Sequence, residues 1–367
     1  MAKTKKIRWY IPGLLVFAVF VFLTPAPVSE ETILKPVWIT SLETNNPITL
    51  GNEPARNSGP NDSAALFPFI LGNRFGYMGE DGNFAINRLR DGYFSLSETH
   101  WAEYETTPSS IQVMNPASEE VFSIEAPKGY PLFIDNRAFI VGSEQNFISG
   151  LNDRGQALWT YDFSAPVTCV DAAGGFLLVG TLDGEVILLN AQGVPAFAPF
   201  EPGGSRLSVI LGCAISADAT RFALVSGIDE QRFLYMERSG DTYKVIYHEF
   251  LGQGFRRPVH VSFVDNDSKV VFEREGGLGI YSIGGRGSVG VGMEGELAAL
   301  DESGNDGFLF VVTSQGQNEK RLIAIRYPGI IVNEAPFRSN SVFLFRLGKK
   351  LYLGGDLSMA SFEMEKK

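Results

Sequence analysis

The sequence predicts an all-β protein, a β-propeller of seven blades with eight as the alternative count, preceded by an N-terminal transmembrane or signal helix. Three observations predict it. The first is the stretch Gly174 to Gly193 (GGFLLVGTLDGEVILLNAQG), read as a strand over Phe176 to Val179, a tight Asp183-Gly184 turn, and a second strand over Glu185 to Leu189. Asp-Gly between two apolar runs is a strong hairpin signal, because Gly takes positive φ without steric cost. The second is recurrence: matching apolar runs begin at Ala138, Phe222, Val270, Phe308 and Leu351, at steps of 38 to 48 residues. Most units have one strand before this hairpin and another after it, and four short strands per period of roughly 40 to 50 residues is the pattern of propeller blades. The third is composition: 40 glycines among 367 residues fall mostly between short apolar runs, and from Phe84 onward no stretch holds a helical period.

Taken in order, the chain opens on Lys3, Lys5, Lys6 and Arg8, followed by the apolar run Ile11 to Leu23 (IPGLLVFAVFVFL) and then TPAPVSEE. Residues 1–28 read as a targeting or anchoring segment. The run is short for a span, but with Trp9, Tyr10 and the uncharged residues to Val28 it is long enough to cross a bilayer, the two aromatics lying at the headgroups. Thr24-Pro25-Ala26 is the nearest approach to a cleavage site, and Pro27 stands against it. An uncleaved anchor is the expectation, with a removed signal peptide as the alternative. Either way the positive flank stays in the cytoplasm and the body is extracytoplasmic: periplasmic in a two-membrane cell, and soluble there or secreted if the signal is removed. No Cys follows the run, so no lipid anchor is expected.

Residues 29–62 read as a linker carrying one strand, Val37 to Leu42 (VWITSL), before the Asn-, Pro- and Gly-rich stretch Asn45 to Asp62. Residues 63–367 form the propeller domain. Six units run from Phe84 to about residue 337, and a seventh, Ser341 to Glu365, stops after three strands. Because a ring must close to remove its edges, Val37 to Leu42 is expected to supply the missing outer strand. The apolar pair within 66–78 supplies closing strands or belongs to an eighth blade.

The segments GLNDRGQALWTYDF and LLVGTLDGEVILLNAQG resemble the repeats of quinoprotein-like and WD40-like (YVTN-type) propellers, with Trp159 in the place of the closing Trp and Gly155 four residues before it. The resemblance implies the propeller fold over about residues 84 to 365. No unit ends in a Trp-Asp pair. Quinone-dependent dehydrogenases of this repeat type need a vicinal Cys pair and a metal-binding acidic and amide set, and neither is present, so no cofactor is expected. The propeller component of outer-membrane barrel assembly is similar in repeat type and location, although it is a lipoprotein.

The net charge is −11 and four cations lie in the first eight residues, so the body is strongly acidic. Such a surface repels phosphate backbones, and nucleic acid is not an expected partner. Cys169 and Cys213, about one repeat apart, read as small buried residues at similar inward positions of neighbouring units (VTCVDA and LGCAIS), with a disulfide or redox pair as the alternative. His100, His248 and His260 fall on different units without ligand-spaced neighbours, so neither a metal site nor a catalytic triad is expected. Asp81 and Asp183 are turn residues, lacking the acidic spacing of a calcium loop.

One pattern rises above this background. PGGSRLSVI (Pro202 to Ile210) and GQGFRRPVHV (Gly252 to Val261) place Gly-rich loops with Arg206, and with Arg256 and Arg257, at the same point of successive repeats. Arginine forks on one face bind carboxylates, phosphates or acidic peptides; structural ion pairs with the surplus carboxylates are the alternative. Gly285-Arg286-Gly287 repeats the idea more weakly. The expected function is a membrane-tethered, extracytoplasmic, non-enzymatic scaffold that binds a protein partner. The alternatives are a ligand-sensing propeller or a channel-lining enzyme, a hydrolase or lyase.

Overall fold

In the computed structural model residues 32–50, 65–252 and 254–366 are described, and they form eight antiparallel sheets. The predicted N-terminal helix lies outside these residues; among those described, no helix is long and apolar enough to cross a membrane. The predicted hairpin is present as Phe176–Thr181 paired with Val186–Leu189, turning at Gly184 with φ +93°.

Numbering blades along the chain, blade 1 is Leu66–Leu71, Arg74–Gly79 and Phe84–Leu89. Blade 2 is Tyr93–Leu96, Trp101–Tyr104, Ser110–Met114 and Glu120–Glu125. Blade 3 is Gly129–Ile134, Arg137–Gly142, Phe147–Leu151 and Ala157–Asp162. Blade 4 has three strands, Val167–Ala173, Phe176–Thr181 and Val186–Leu189. Blade 5 is Ile210–Ile215, Arg221–Ser226, Arg232–Ser239 and Thr242–Phe250. Blade 6 is Val261–Val264, Lys269–Arg274, Gly277–Ser282 and Ser288–Gly292. Blade 7 is Glu296–Leu300, Phe308–Gln315, Glu319–Arg326 and Ile330–Arg338. Blade 8 joins Val342–Leu347, Lys350–Gly355 and Ser358–Lys366 to the N-terminal strand Thr32–Ser41, whose free edge carries Ile48–Thr49.

The closure by both ends is as expected. Thr32–Ser41 pairs antiparallel with Ser358–Lys366, from Thr32 opposite Lys366 to Ser41 opposite Ser358. The blade count of seven is corrected to eight, because the pair within 66–78 takes Phe84–Leu89 as its third strand and makes a blade of its own. Blade 1 is also displaced within the repeat. Phe67 stacks on Phe345 while Gly72 meets Ser341, so Leu66–Leu71 runs opposite to the inner strand of blade 8. Its strands therefore correspond by direction to the second, third and fourth of an ordinary blade.

Tryptophans show the same correspondence. Trp159, on the outer strand of blade 3, donates Nε1–H to the Ala191 carbonyl (3.0 Å) in the turn after blade 4's third strand. A Cβ on Gly193 would come within 2.4 Å of that indole. Trp38, on the outer strand of blade 8, donates to the Glu80 carbonyl (3.1 Å) and packs on Gly82 in the matching turn of blade 1. Each indole thus docks one blade on the next.

In blade 4 an irregular run replaces the fourth strand. Pro195 and Pro199 lack the N–H a ladder needs, and only the bridges Leu189–Pro195 and Val186–Phe200 form. Each sheet is apolar on both faces, and among the described residues the core accordingly divides into eight clusters, one in each gap between blades. The gap between blades 5 and 6 is representative: Val225 and Phe233 meet Val261, Phe272 and Tyr281, with Phe233 stacked on Phe272 at 4.0 Å. These apolar gaps are the main source of stability.

Candidate functional site

Loops that leave one blade's outer strand and enter the next blade's inner strand lie together on one face of the ring, here called the entry face. Loops 201–209 and 251–260 both do so, one entering blade 5 and the other blade 6. The structure brings them to opposite sides of a single turn, Gly227 to Arg232 of blade 5. Gln231 is buried and holds the second loop: its Nε2 donates to the Phe255 carbonyl (3.3 Å), and its Oε1 accepts from the Phe255 N–H (3.4 Å). Arg232 holds the first loop by donating to the Pro202 carbonyl (2.5 Å), and its guanidinium lies over the Phe250 ring at 5.8 Å. Ser205 adds a hydrogen bond to the Asp229 carboxylate. Backbone groups of both loops are thereby fixed by side chains of one turn, which confers rigidity without a strand or helix.

The three predicted arginines divide on this scaffold. Arg206 and Arg256 are exposed. Arg257 is held by the Glu273 carboxylate, with Nη1 3.0 Å from Oε2 and Nη2 2.5 Å from Oε1, and its guanidinium covers Phe255 at 4.2 Å. Glu273 is only 6% exposed, and hydrogen bonding to it raises the Arg257 pKa above the usual arginine value. For Arg257 the ion-pair alternative is the one the geometry matches. Leu207, 58% exposed, follows Arg206 in its loop, and Phe250, 56% exposed, lies under Arg232 at the end of blade 5's outer strand. Neither was singled out from the sequence; an apolar residue next to Arg206 in a polar loop was the available signal.

Replacing Arg257 by Ala is expected to cost about 2 kcal/mol of stability, because it strands a buried carboxylate; the 42% exposure of the arginine side chain keeps the figure below that of a fully buried pair. Urea unfolding of Arg257→Ala beside Arg256→Ala checks this, the latter remaining within about 0.5 kcal/mol of the parent.

Two cavities complete the picture. On the entry face a 710 Å³ cleft lies between blades 2 and 3, lined by Tyr93, Tyr104, Tyr130, Pro108, Pro127 and Lys128. Tyr93 and Tyr104 stack at 6.0 Å. Sequence reading missed this cleft because its tyrosines come from three different strands. At the channel, a 420 Å³ pocket is lined by Asp171, Cys213, Ser262, Asp267 and Glu302 among others. The Asp171 carboxyl is pushed up to about 6 by burial, against the Ile215 and Ala172 N–H groups that it accepts from; nearby Glu302 adds to the rise. His260 Nε2 lies 3.1 Å from Glu302 Oε1. His100 packs on Phe122 and Phe133, and burial lowers its pKa. Among the described residues, no three His, Cys, Asp or Glu side chains are grouped to hold a metal ion.

A family model described as beta-propeller protein matches residues 1–367. The chain belongs to that family. A relative from Treponema pallidum (strain Nichols), an uncharacterized protein, is 26% identical over 99% of this chain and 95% of its own length. Among solved structures, this propeller is similar to BamB from Moraxella catarrhalis, with a TM-score of 0.60 and 12% identity over 90% of this chain and the whole of that one. It is also similar to the computationally designed Ika8 protein, with a TM-score of 0.59 and 14% identity over 82% of this chain and 96% of that one. At these identities the likeness is one of fold.

Proposed function

We propose that this propeller is a membrane-tethered, extracytoplasmic scaffold that performs no catalysis and binds a protein partner through its entry face at blades 5 and 6. The observation that carries this reading is that one turn, Gly227 to Arg232, holds both loops, so that exposed Arg206, Leu207 and Arg256 share one face with exposed Phe250, which lies against Arg232. A preorganised patch of guanidinium forks and apolar anchors suits a partner segment bearing carboxylates beside an aliphatic or aromatic residue. The acidic remainder of the body rejects carboxylates elsewhere, so the two arginines also select where such a segment lands. The tether rests on Lys3, Lys5, Lys6 and Arg8 ahead of the apolar run.

Tagged full-length chain in detergent, used to capture partners from its own membranes, tests the patch. Arg206→Ala with Arg256→Ala is expected to reduce capture of the specific partner by roughly several hundredfold, about thirtyfold for each arginine at about 2 kcal/mol, while the melting temperature stays put because both side chains are exposed. Unchanged capture by the double variant sinks the reading. Protease added to spheroplasts is expected to digest the body; protection until lysis would reverse the orientation.

A further inference from the structure

The inner strands of blades 4 and 5 bring the chain's two cysteines together. Thr168 Oγ1 lies 2.5 Å from the Ile210 carbonyl, and three residues later Asp171 Oδ2 accepts from the Ile215 N–H at 2.8 Å. These two links pin one strand to the other on either side of Cys169. Each strand carries an irregularity in its ladder, between Val167 and Cys169 in blade 4 and between Ile210 and Gly212 in blade 5. In blade 5 the shift puts Ile210, Cys213 and Ile215 in the apolar cluster shared with blade 4, while Leu211 and Ala214 join the cluster shared with blade 6. Cys169 packs against that same blade 4–blade 5 cluster. Its Sγ occupies space left by Gly180, where a Cβ would come within 2.7 Å of it. Both cysteines therefore lie in the one gap between blades 4 and 5, and both are free thiols.

We infer that Cys169 and Cys213 are a built modification site: a dithiol that closes to an intramolecular disulfide joining blades 4 and 5 when a small disulfide such as oxidised glutathione is supplied. Cys169 is the half-buried member and Cys213 the buried one, so the order of steps follows from access. The Cys169 thiol gives up its proton and its sulfur attacks the glutathione disulfide, forming a mixed disulfide and releasing one glutathione. Cys213 then loses its proton and attacks the Cys169 sulfur, forming the cross-blade bond and releasing the second glutathione. Two protein thiols are oxidised and one glutathione disulfide is reduced to two thiols, so atoms and electrons balance. The Cys169 sulfur, as acceptor of the Cys213 S–H, together with burial, pushes the Cys213 thiol up, which makes the second step the slower one.

The test treats full-length protein with oxidised glutathione, quenches with acid, and alkylates under denaturing conditions for mass spectrometry. The parent is expected to be lighter by two hydrogens, to carry no glutathione, and to yield one linked peptide containing Cys169 and Cys213. Cys213→Ser is expected to stop at the mixed disulfide on Cys169, which shows the first step, and to melt close to the reduced parent, which shows that the fold survives. The oxidised parent should melt roughly 5 °C above its reduced form, because the closed loop restricts the unfolded chain. Two alkylated thiols remaining in the treated parent, or glutathione retained on it at the level seen in Cys213→Ser, would overturn the proposal.

Discussion

A chain that lacks residues 30–60 is expected to melt more than about 10 °C below the full protein and to self-associate. The strand Thr32–Ser41 supplies the outer position of blade 8 and pairs with the last strand along its whole length. Removing it bares the edge of Ser358–Lys366, and an unpaired edge recruits other chains. The loss is more than hydrogen bonds. Trp38 and Leu42 are 5% and 2% exposed in the cluster that joins blade 8 to blade 1, packed with Phe67, Tyr352 and Met359. Deleting one large buried side chain costs about 2 to 5 kcal/mol, so losing two removes a large part of a typical stability of about 5 to 15 kcal/mol. Differential scanning fluorimetry and light scattering on the two chains check this. Adding a peptide of residues 32–50 should restore part of the loss, since the vacated position is a strand slot with its partner already in place. A truncated chain that melts like the parent would mean the ring does not depend on this closure.

Legibility in the sequence followed locality. The Asp183-Gly184 hairpin is specified by residues within one turn of each other, and the structure has it. The shared last blade was readable because the shortage of one strand after Glu365 and the lone strand at Val37 are complementary. The blade count was not readable, because blade 1 departs from the repeat: its first described strand runs opposite to the other blades' inner strands. A period scan anchored on ordinary blades therefore leaves Leu66–Leu71 and Arg74–Gly79 outside the count. At the site, repeat spacing correctly put the two arginine loops on one face. It could not separate Arg257 from Arg256, because the partner that decides, Glu273, is a buried carboxylate on the second strand of blade 6. A glutamate within KVVFER, an otherwise apolar strand, was the available signal. Gln231 and Arg232 were invisible as loop staples, since their contacts are to backbone carbonyls and amides that carry no sequence identity.

Arg346→Met is expected to destabilise the protein by about 3 to 5 kcal/mol, the usual cost of removing one partner of a buried pair. Arg346 and Asp301 are 1% and 0% exposed, with Nε 2.7 Å from Oδ2 in the gap between blades 7 and 8. The guanidinium also reaches Asp306 at 2.8 Å and donates to the Phe308 carbonyl at 3.2 Å, while Ser303 donates to the carbonyl of Arg346 at 2.6 Å. Backbone closeness is part of the fit: a Cβ on Gly304 would stand 1.2 Å from Nη2, so Gly304→Ala should lose stability through the same site. Burial already pushes the Asp301 carboxyl above the usual carboxylate range, and Arg346 is the main influence pulling it back. Without the arginine the folded-state pKa rises further above the unfolded value. A group raised in this way favours folding below its unfolded pKa and loses that contribution as pH climbs through the folded one. The gap between parent and Arg346→Met should therefore be widest near pH 8 and narrow toward pH 4, where Asp301 is neutral and needs no counter-charge. Pairing Arg346→Met with Asp301→Asn should recover much of the loss at pH 8, because no buried charge remains. Chemical denaturation of the parent, both single variants and the double variant at the two pH values measures the coupling directly; a loss that ignores pH and is not recovered in the double variant would assign the effect to packing against Phe310 instead.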